Sequence, residues 1–392
     1  MLITKSVQKL VTVGPVSMMM LLVALSSCSA SDSDIGTWDD NEPITFLVAD
    51  DDEGLTRGAY QTAKQFTNYA IYSFNYITGR IYVSNVEQTK KDDGSWESSR
   101  TISFPGKNAL NFFAMKPGFV RDDVKNLTMS ATEKSFVHTL PNTNAKQTDF
   151  MISSLFNKTK AGTGGTLLFK FKHLFSYLRF QGKVSKEGLN VRVRSITLHN
   201  IKSTGKFTFS ETKERDGSWE LQDDLDNYTY LLPEERELTA KNALLHTTDS
   251  MLFVMSQTPE VFVISGDNTS FADADKDGEK KAYLEIECRI WKMEDDGNGG
   301  EIPQYIGCDA NTWAKVYYPM ATTTKWQTAS IPYSGTYNVI IDFTGGYTYD
   351  GEDFLDKYTN GGTNMSSIEP IRTELATVPW EDDAANSTAF DM

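Results

Sequence analysis

Cysteine and histidine are scarce in this 392-residue chain, which has 3 Cys and 4 His. No CxxC pair occurs, and the histidines are scattered, so no spacing indicates a zinc or iron–sulfur site. The motifs GxSxG and HExxH and the P-loop are absent as well. We therefore predict that the protein is not an enzyme and that it holds no metal and no cofactor.

Positive charge is also in deficit, since 38 Lys and Arg stand against 53 Asp and Glu for a net charge of −15. Nucleic-acid binding depends largely on Lys and Arg, so we predict no nucleic-acid partner. Aromatic residues, by contrast, are plentiful, with 22 Phe and 17 Tyr, and they favour β structure. The length and the 39% hydrophobic content suffice for two domains.

The chain begins with a segment typical of secretion. Lys5 and Lys9 precede a 16-residue apolar run, Leu10 to Leu25, which contains Pro15. This run is shorter than the roughly 20 residues that span a bilayer, so we interpret residues 1–27 as a signal peptide rather than a transmembrane helix. Leu25 to Cys28 is also similar to a bacterial lipobox, which predicts cleavage before Cys28 and lipidation of its thiol.

Residues 28–57 form an acidic leader, with nine acidic residues and one base. Within it, Ile44, Phe46 and Val48 alternate with their neighbours as the buried face of a single strand does. The acidic run of residues 50–53 follows, and a polar linker of this kind is accessible to a protease.

The rest of the chain predicts an all-β fold. Period-2 segments recur, such as the alternating Leu284 to Ile290 and Tyr337 to Phe343, and they are separated by Asp-Gly and Asn-Gly steps that favour tight antiparallel hairpins. Beyond His173 the apolar residues change parity, which predicts a bulge or strand break there. We place a domain boundary near residue 185, dividing residues 58–185 from residues 186–392.

The pentapeptide DGSWE occurs twice, at 93–97 and at 216–220. Each copy is a turn followed by an aromatic residue that opens a return strand. The repeat is consistent with two similar modules and equally with the common composition of hairpins.

Asp273, Asp275, Asp277 and Gly278 imitate the first half of a calcium-binding loop. The second half does not fit, because Leu284 stands where a bidentate glutamate is expected. We therefore predict a polar hairpin turn at this position and no metal.

Cys288 and Cys308 lie on either side of a glycine-rich turn, and both have the parity of inward-facing residues. A cross-strand disulfide would close a loop of 21 residues and stabilise the fold by roughly 3 kcal/mol. Two buried thiols are the alternative, and the sequence does not distinguish them.

Several short motifs follow one another along the chain. They begin with the lipobox at Cys28 and with Arg57-Gly58, ahead of a strand carrying Tyr69, Ile71 and Phe74. The others are residues 147–151 (QTDFM), 171–176 (FKHLFS), 315–319 (KVYYP), 337–341 (YNVII) and 377–380 (TVPW). In this order the motifs resemble those of the fimbrillins, the lipoprotein pilins of Bacteroidetes, including the minor-fimbrillin-like proteins, and Arg57-Gly58 resembles the family's Arg processing site.

The resemblance implies two tandem transthyretin-like β-sandwiches and export as a lipoprotein to the outer membrane and cell surface. It also implies cleavage after Arg57, removal of the leader with its strand, and assembly into fimbriae with other pilin subunits by strand exchange. Residues 372–380 are a candidate donor strand. A tip or accessory pilin ranks slightly ahead of a stalk subunit, and a lipid-retaining anchor ranks third; the surface ligand is unknown.

A second hypothesis is a surface lipoprotein that binds glycans by stacking sugars on exposed tryptophans. The candidates are Trp96, Trp219, Trp313 and Trp326. A surface hydrolase is a weaker third.

Overall fold

The computed structural model describes residues 42–49, 67–184, 186–239, 241, 243–245, 252–265, 270–276, 278, 280–326, 336–343 and 373–375. Within these residues, helix is confined to α1 (Lys160–Thr163) and to two 3₁₀ segments, Asn144–Lys146 and Phe271–Asp275. No helix in this part of the chain is long and apolar enough to cross a membrane. The all-β prediction is confirmed.

Twenty-two strands make up the described fold. The first eleven are β1 (Thr45–Val48), β2 (Asn68–Asn75), β3 (Ile81–Lys90), β4 (Trp96–Ser98), β5 (Leu110–Lys116), β6 (Val124–Met129), β7 (Lys134–Thr139), β8 (Met151–Lys158), β9 (Thr166–Phe169), β10 (Lys172–His173) and β11 (Ser176–Lys183). The others are β12 (Leu189–Lys202), β13 (Thr204–Phe209), β14 (Gly217–Leu221), β15 (Leu225–Glu237), β16 (Ala243–Leu244), β17 (Leu252–Val254), β18 (Tyr283–Asp295), β19 (Glu301–Tyr305), β20 (Ala314–Pro319), β21 (Thr336–Asp342) and β22 (Thr373–Leu375).

The central layer is an antiparallel sheet with the strand order β10-β8-β5-β2-β3-β4. Both faces of its inner strands are buried, which explains why β2 and β5 are almost continuously apolar instead of alternating. Tyr69 and Ile71 face one core, whereas Tyr72 and Phe74 face another.

We name these the first core and the main core. The first core lies between the central sheet and the parallel pair β1–β9, and it contains residues 44, 46, 69, 71, 83, 86, 102, 104, 110, 112, 114, 151, 155, 167, 169 and 171. The main core joins the other face of the central sheet to the remaining sheets.

Three further sheets enclose the main core. Their orders are β14-β13-β7-β6, β15-β12-β18-β19 with β20 also on β18, and β16-β11-β21-β22 with β17 also on β11. Strands β6 and β7 precede residue 185 and β13 and β14 follow it, yet they share one sheet. The division into residues 58–185 and 186–392 stays a prediction.

The strand patterns behave as predicted. Leu284, Ile286, Cys288 and Ile290 are buried on one face of β18, and alternate residues from Tyr337 to Phe343 are buried on β21 and just beyond it. Both DGSWE copies open the return strand of an antiparallel hairpin, in β4 and in β14. The predicted break at His173 is also confirmed, because β9, β10 and β11 are separate short strands.

The predicted hairpin turn at Asp273 is wrong, since residues Phe271–Asp275 form a 3₁₀ helix. Ser270 caps it, because its hydroxyl accepts from the Ala272 N–H while its own N–H donates to the Asp273 carboxylate. Asp275 accepts hydrogen bonds from Asn200 and from the Tyr283 hydroxyl. Both carboxylates therefore serve the fold.

Candidate functional site

Strand β1 is held along one edge by β9. The two strands run parallel, and the Thr45 N–H donates to the Gly165 carbonyl at 2.9 Å. At the other end the Ala49 N–H donates to the Phe169 carbonyl at 2.8 Å. Four residue pairs make up this ladder, from Thr45 with Thr166 onward, so the backbone attachment of β1 is short.

The second edge of β1 has much less contact. Within the described residues, backbone contacts hold its start, where the Ile44 N–H donates to the Ile102 carbonyl at 2.7 Å and Pro43 forms an isolated bridge with Ser103. Among the described residues no other strand pairs with this edge. Strand β1 is therefore an edge strand that pairs along one side with β9 and is largely unpaired along the other side.

Side-chain packing supplies most of the attachment. Ile44 and Phe46 are buried in the first core. The Phe46 ring stacks on Phe169 with 6.0 Å between centroids and meets Phe112 edge-on at 6.2 Å. Burying side chains of this size stabilises a fold by about 1.5–3 kcal/mol each. Val48, the third alternating residue, is partly buried against the same core.

We call the surface under β1 the seat, defined by β9, Ile102 and Phe112. Its outward side is unusual, because Leu47 is 43% exposed and lies directly opposite Leu168, which is 47% exposed. Both leucines therefore lie on the solvent side of the two-stranded edge.

Polar contacts add little to the attachment of β1. Glu42 forms an ion pair with Lys160 at 2.9 Å, but Glu42 is largely exposed and such pairs contribute at most about 1 kcal/mol.

The residues predicted to be lipidated or cut, Cys28, Arg57 and Gly58, lie outside the described residues, so their roles stay predictions.

The two C-terminal cysteines are near each other and are not bonded. Cys288 is fully buried on β18, and burial raises the pKa of its thiol. Cys308 follows β19, and its Sγ lies 3.8 Å from the carbonyl oxygen of Ile290, two residues along from Cys288. The predicted disulfide stays a prediction.

The motifs 147–151 and 171–176 meet in a buried polar cluster between the sheets. The Asp149 carboxylate lies 2.9 Å (Oδ1) and 2.7 Å (Oδ2) from Nδ1 of His173. Lys116 is buried at the end of β5, and burial lowers its pKa to about 8 although the Asp149 charge opposes the shift. Sequence analysis missed Lys116, because a lysine that ends an apolar strand ordinarily faces water.

Gln147 of the same motif acts as a backbone clamp. Its Oε1 accepts from the Phe253 N–H at 2.7 Å, and its Nε2 donates to the Phe253 carbonyl at 3.0 Å and to the Pro141 carbonyl at 2.9 Å. One side chain thus joins segments from distant parts of the chain. This motif therefore helps to hold the fold together.

The four tryptophans proposed to stack on glycans are poorly placed for that role. Trp326 is fully buried, so the expectation that it is exposed is wrong. Trp219 donates to the Leu174 carbonyl at 3.0 Å within the main core, and Trp96 packs edge-on against Tyr69. The Arg289 guanidinium lies 4.1 Å from the centroid of Trp313 and covers that ring.

Comparison with known proteins agrees with this layered β architecture. A family model described as fimbrillin-like matches residues 35–279. No match was found among curated proteins. A fimbrial protein from Bacteroides vulgatus has a similar fold, with a TM-score of 0.50 and 14% identity, over 87% of this chain and 100% of that one.

Weaker likenesses extend to solved structures described as cell adhesion proteins. A candidate cell adhesion protein from Bacteroides uniformis gives a TM-score of 0.40 and 10% identity, covering 86% of this chain and 98% of that one. One from Parabacteroides distasonis gives 0.42 and 10%, covering 86% and 91%.

The fold is thus all-β, with an edge strand that packs over its first core. The chain belongs to the fimbrillin-like family. Membership supports a pilin or adhesin role at the cell surface and implies assembly with other pilin subunits, and it suggests a structural protein rather than an enzyme.

Proposed function

We propose that this protein is a structural or adhesive pilin subunit of outer-membrane fimbriae. It is exported as a lipoprotein acylated at Cys28, cut after Arg57, and assembled when a strand from a neighbouring subunit takes the place of β1. Family membership supports the general role, and the geometry of β1 supports the exchange.

The observation that carries the proposal is the one-sided attachment of β1. A strand with a four-residue ladder on one edge can leave without breaking another sheet. Its loss exposes the edge of β9 and the pockets of Ile44 and Phe46, and an alternating strand from another subunit satisfies both at once. Donor and acceptor surfaces differ, so this contact extends a filament instead of closing a dimer.

Energetics favour exchange only after cleavage. While the leader remains covalently attached, β1 competes intramolecularly at high effective concentration. A cut at Arg57 removes this advantage, because the freed leader can diffuse away. An incoming strand with large apolar residues two positions apart then recovers the burial that Ile44 and Phe46 supplied.

The C-terminal segment bears on the position in the fibre. Residues Thr373–Leu375, part of the candidate donor strand 372–380, pair antiparallel with β21 of the same chain. A segment engaged in its own subunit is less available for donation. This pairing supports a tip or accessory subunit, which accepts a strand and donates none, over a stalk subunit.

N-terminal sequencing and intact-mass analysis of protein from whole cells test the proposal. We expect an acylated form that begins at Cys28 in the membrane fraction and a form that begins at Gly58 in sheared fimbriae. Arg57→Ala should abolish the second form. Arg57→Lys is the matched control: trypsin should still cut it in vitro, but an Arg-specific protease should not cut it in cells. If the native protein is never cut near Arg57, the tip and stalk roles fall and an anchor role replaces them.

A further inference from the structure

A cluster of exposed apolar side chains lies beside the start of β1. The hairpin of β2 and β3 exposes Tyr76 and Ile77 in its turn and Ile81 and Tyr82 at the start of β3, and Ile77 reaches 79% exposure. We call these four side chains the hairpin tip. With Leu47 and Leu168, six of the twelve large exposed hydrophobic residues in the described part of the chain lie at the tip or the seat.

The tip adjoins the seat directly. The Tyr82 hydroxyl donates to the Ser103 carbonyl at 2.7 Å, and Ser103 is also the residue that bridges Pro43. Tyr69 and Phe169, by contrast, lie at the other end of β1, where their rings are 5.9 Å apart. The tip therefore borders the end of the seat at which β1 begins.

The turn that presents these side chains is fixed. Oδ1 of Asn75 accepts from the N–H groups of Ile77 and Thr78 at 3.1 and 2.9 Å and from the Thr78 hydroxyl at 3.1 Å. Gly79 has φ +65°, and a Cβ there would come 3.2 Å from the Cβ of Ala131, so only glycine fits without strain. A rigid apolar projection loses little entropy on binding, as is typical of an interface anchor.

We propose that the hairpin tip is the docking surface for the body of the fimbrillin subunit that donates a strand to the seat. The inference rests on the proposed strand exchange and names its partner and its geometry. A strand that replaces β1 in the same direction enters with its first residue at the Pro43 end. A donor whose strand lies at the end of its chain then has its body beside the tip.

Docking on the tip explains why apolar groups remain exposed on the hairpin of an otherwise acidic protein. Strand exchange combined with burial of the tip and of the Leu47–Leu168 side covers both sets of exposed apolar side chains in one contact. When a donor residue takes the place of Leu47, the subunit that accepts the strand contributes Leu168 and the hairpin tip to this interface.

The test compares two exposed apolar residues at opposite ends of the central sheet. Ile77→Asp places a charge on the tip, and Val120→Asp, at a residue that is 70% exposed beyond the other end of β5, is the matched control. Cells that express each variant are sheared, and the Gly58-started protein in the fimbrial fraction is quantified by mass spectrometry. We expect about a tenfold loss for Ile77→Asp and no loss for Val120→Asp.

A photo-crosslinking residue at position 77 identifies what covers the tip. We expect crosslinks to the body of another fimbrillin subunit in chains cut at Arg57, and their absence in Arg57→Ala chains. Crosslinks only to residues 1–41 of the same chain would overturn the proposal, because the chain's own leader would then be the occupant.

The two levels of inference fail differently. If Ile77→Asp enters fimbriae as well as wild type does, tip docking is wrong while strand exchange stands. If wild-type protein is never cut and never found in fimbriae, the proposed function fails, and tip docking fails with it.

Discussion

The Asp149 carboxylate lies 2.7 Å from Nδ1 of His173, and both side chains are buried. This contact joins the segment ahead of β8 to β10, and so it ties together two motifs that are some twenty residues apart. Gln147 adds the clamp on Phe253. The two motifs are thus joined by side-chain contacts across the strand break at His173.

The first prediction concerns the contact between Asp149 and His173. We expect His173→Ala to lower the free energy of unfolding by about 1–3 kcal/mol, because a buried carboxylate loses its histidine hydrogen-bond partner. Asp149→Asn/His173→Ala should recover part of that loss, since an amide is less costly than a carboxylate to bury without this partner. Denaturant unfolding measures both. Equal destabilisation by Lys170→Ala, in the neighbouring loop, would show that the pair is not special.

Local patterns in the sequence predicted much of this fold, and they did so for a physical reason. Alternation in β18 and β21 and the Asp-Gly turns depend on neighbours within a few residues. Local patterns do not predict which strand pairs with which. Strand β1 was expected from Ile44 and Phe46, but nothing in the neighbouring residues indicates that it lies parallel to β9, about 120 residues later. Alternation identifies a buried face and does not identify what covers it.

A second limit on prediction from sequence concerns residues that several distant segments enclose. Trp326 has no alternating neighbours that mark it as internal, yet it is fully enclosed in the main core. The seat shares this limitation, because its pockets belong to β5 and β9 as well as to the segment near Ile102. Only the strand that fills the seat could be anticipated from consecutive residues.

The second prediction separates the two faces of β1. Phe46→Ala should weaken docking of the strand by about 3–5 kcal/mol, because it empties a pocket in the first core. Leu47→Ala, the adjacent exposed residue, should change docking by no more than about 0.5 kcal/mol.

Hydrogen exchange at the amides of Thr45 and Ala49, which donate to β9, reports this opening directly. Exchange should accelerate at least about a hundredfold in Phe46→Ala. If the two variants exchange at the same rate, the first core does not hold β1.

The third prediction concerns Cys288 and Cys308. In a Cys28→Ala background, oxidised glutathione should remove one hydrogen from each thiol and form a disulfide, with the oxidant reduced to two thiols. The more exposed Cys308 forms the mixed disulfide first, since burial raises the pKa of Cys288. Closing this loop should stabilise the protein by roughly 3 kcal/mol.

Intact mass and thermal unfolding with and without the oxidant measure the effect. Cys308→Ala is the control, and it should show no disulfide and no gain in stability. A wild-type protein that only accumulates glutathione adducts would mean that the two sulfurs do not come within bonding distance.

The fourth prediction is a pH dependence that arises from Lys116. Burial lowers the pKa of Lys116 to about 8, whereas the unfolded chain has an ordinary lysine pKa near 10.4. Between these values the unfolded state binds the extra proton, so this residue makes stability rise with pH from about 8 to 10 and costs stability below 8. Lys116→Met should therefore be more stable than wild type near pH 7 by up to roughly 3 kcal/mol, a difference in which the attraction to Asp149 is already included.

The difference between the two proteins isolates the lysine, since Tyr69, Cys288 and the other groups that titrate at high pH are common to both. Burial raises the pKa values of those two groups, so they alone would make stability fall as the pH rises above about 9. Urea titrations at several pH values should show the advantage of Lys116→Met shrinking mainly between about pH 8 and pH 10. Lys125→Met, at an exposed position on β6, is the matched control and should not reproduce this trend. A constant advantage for Lys116→Met would mean that Lys116 keeps its proton throughout, held by the Asp149 charge against the cost of burial.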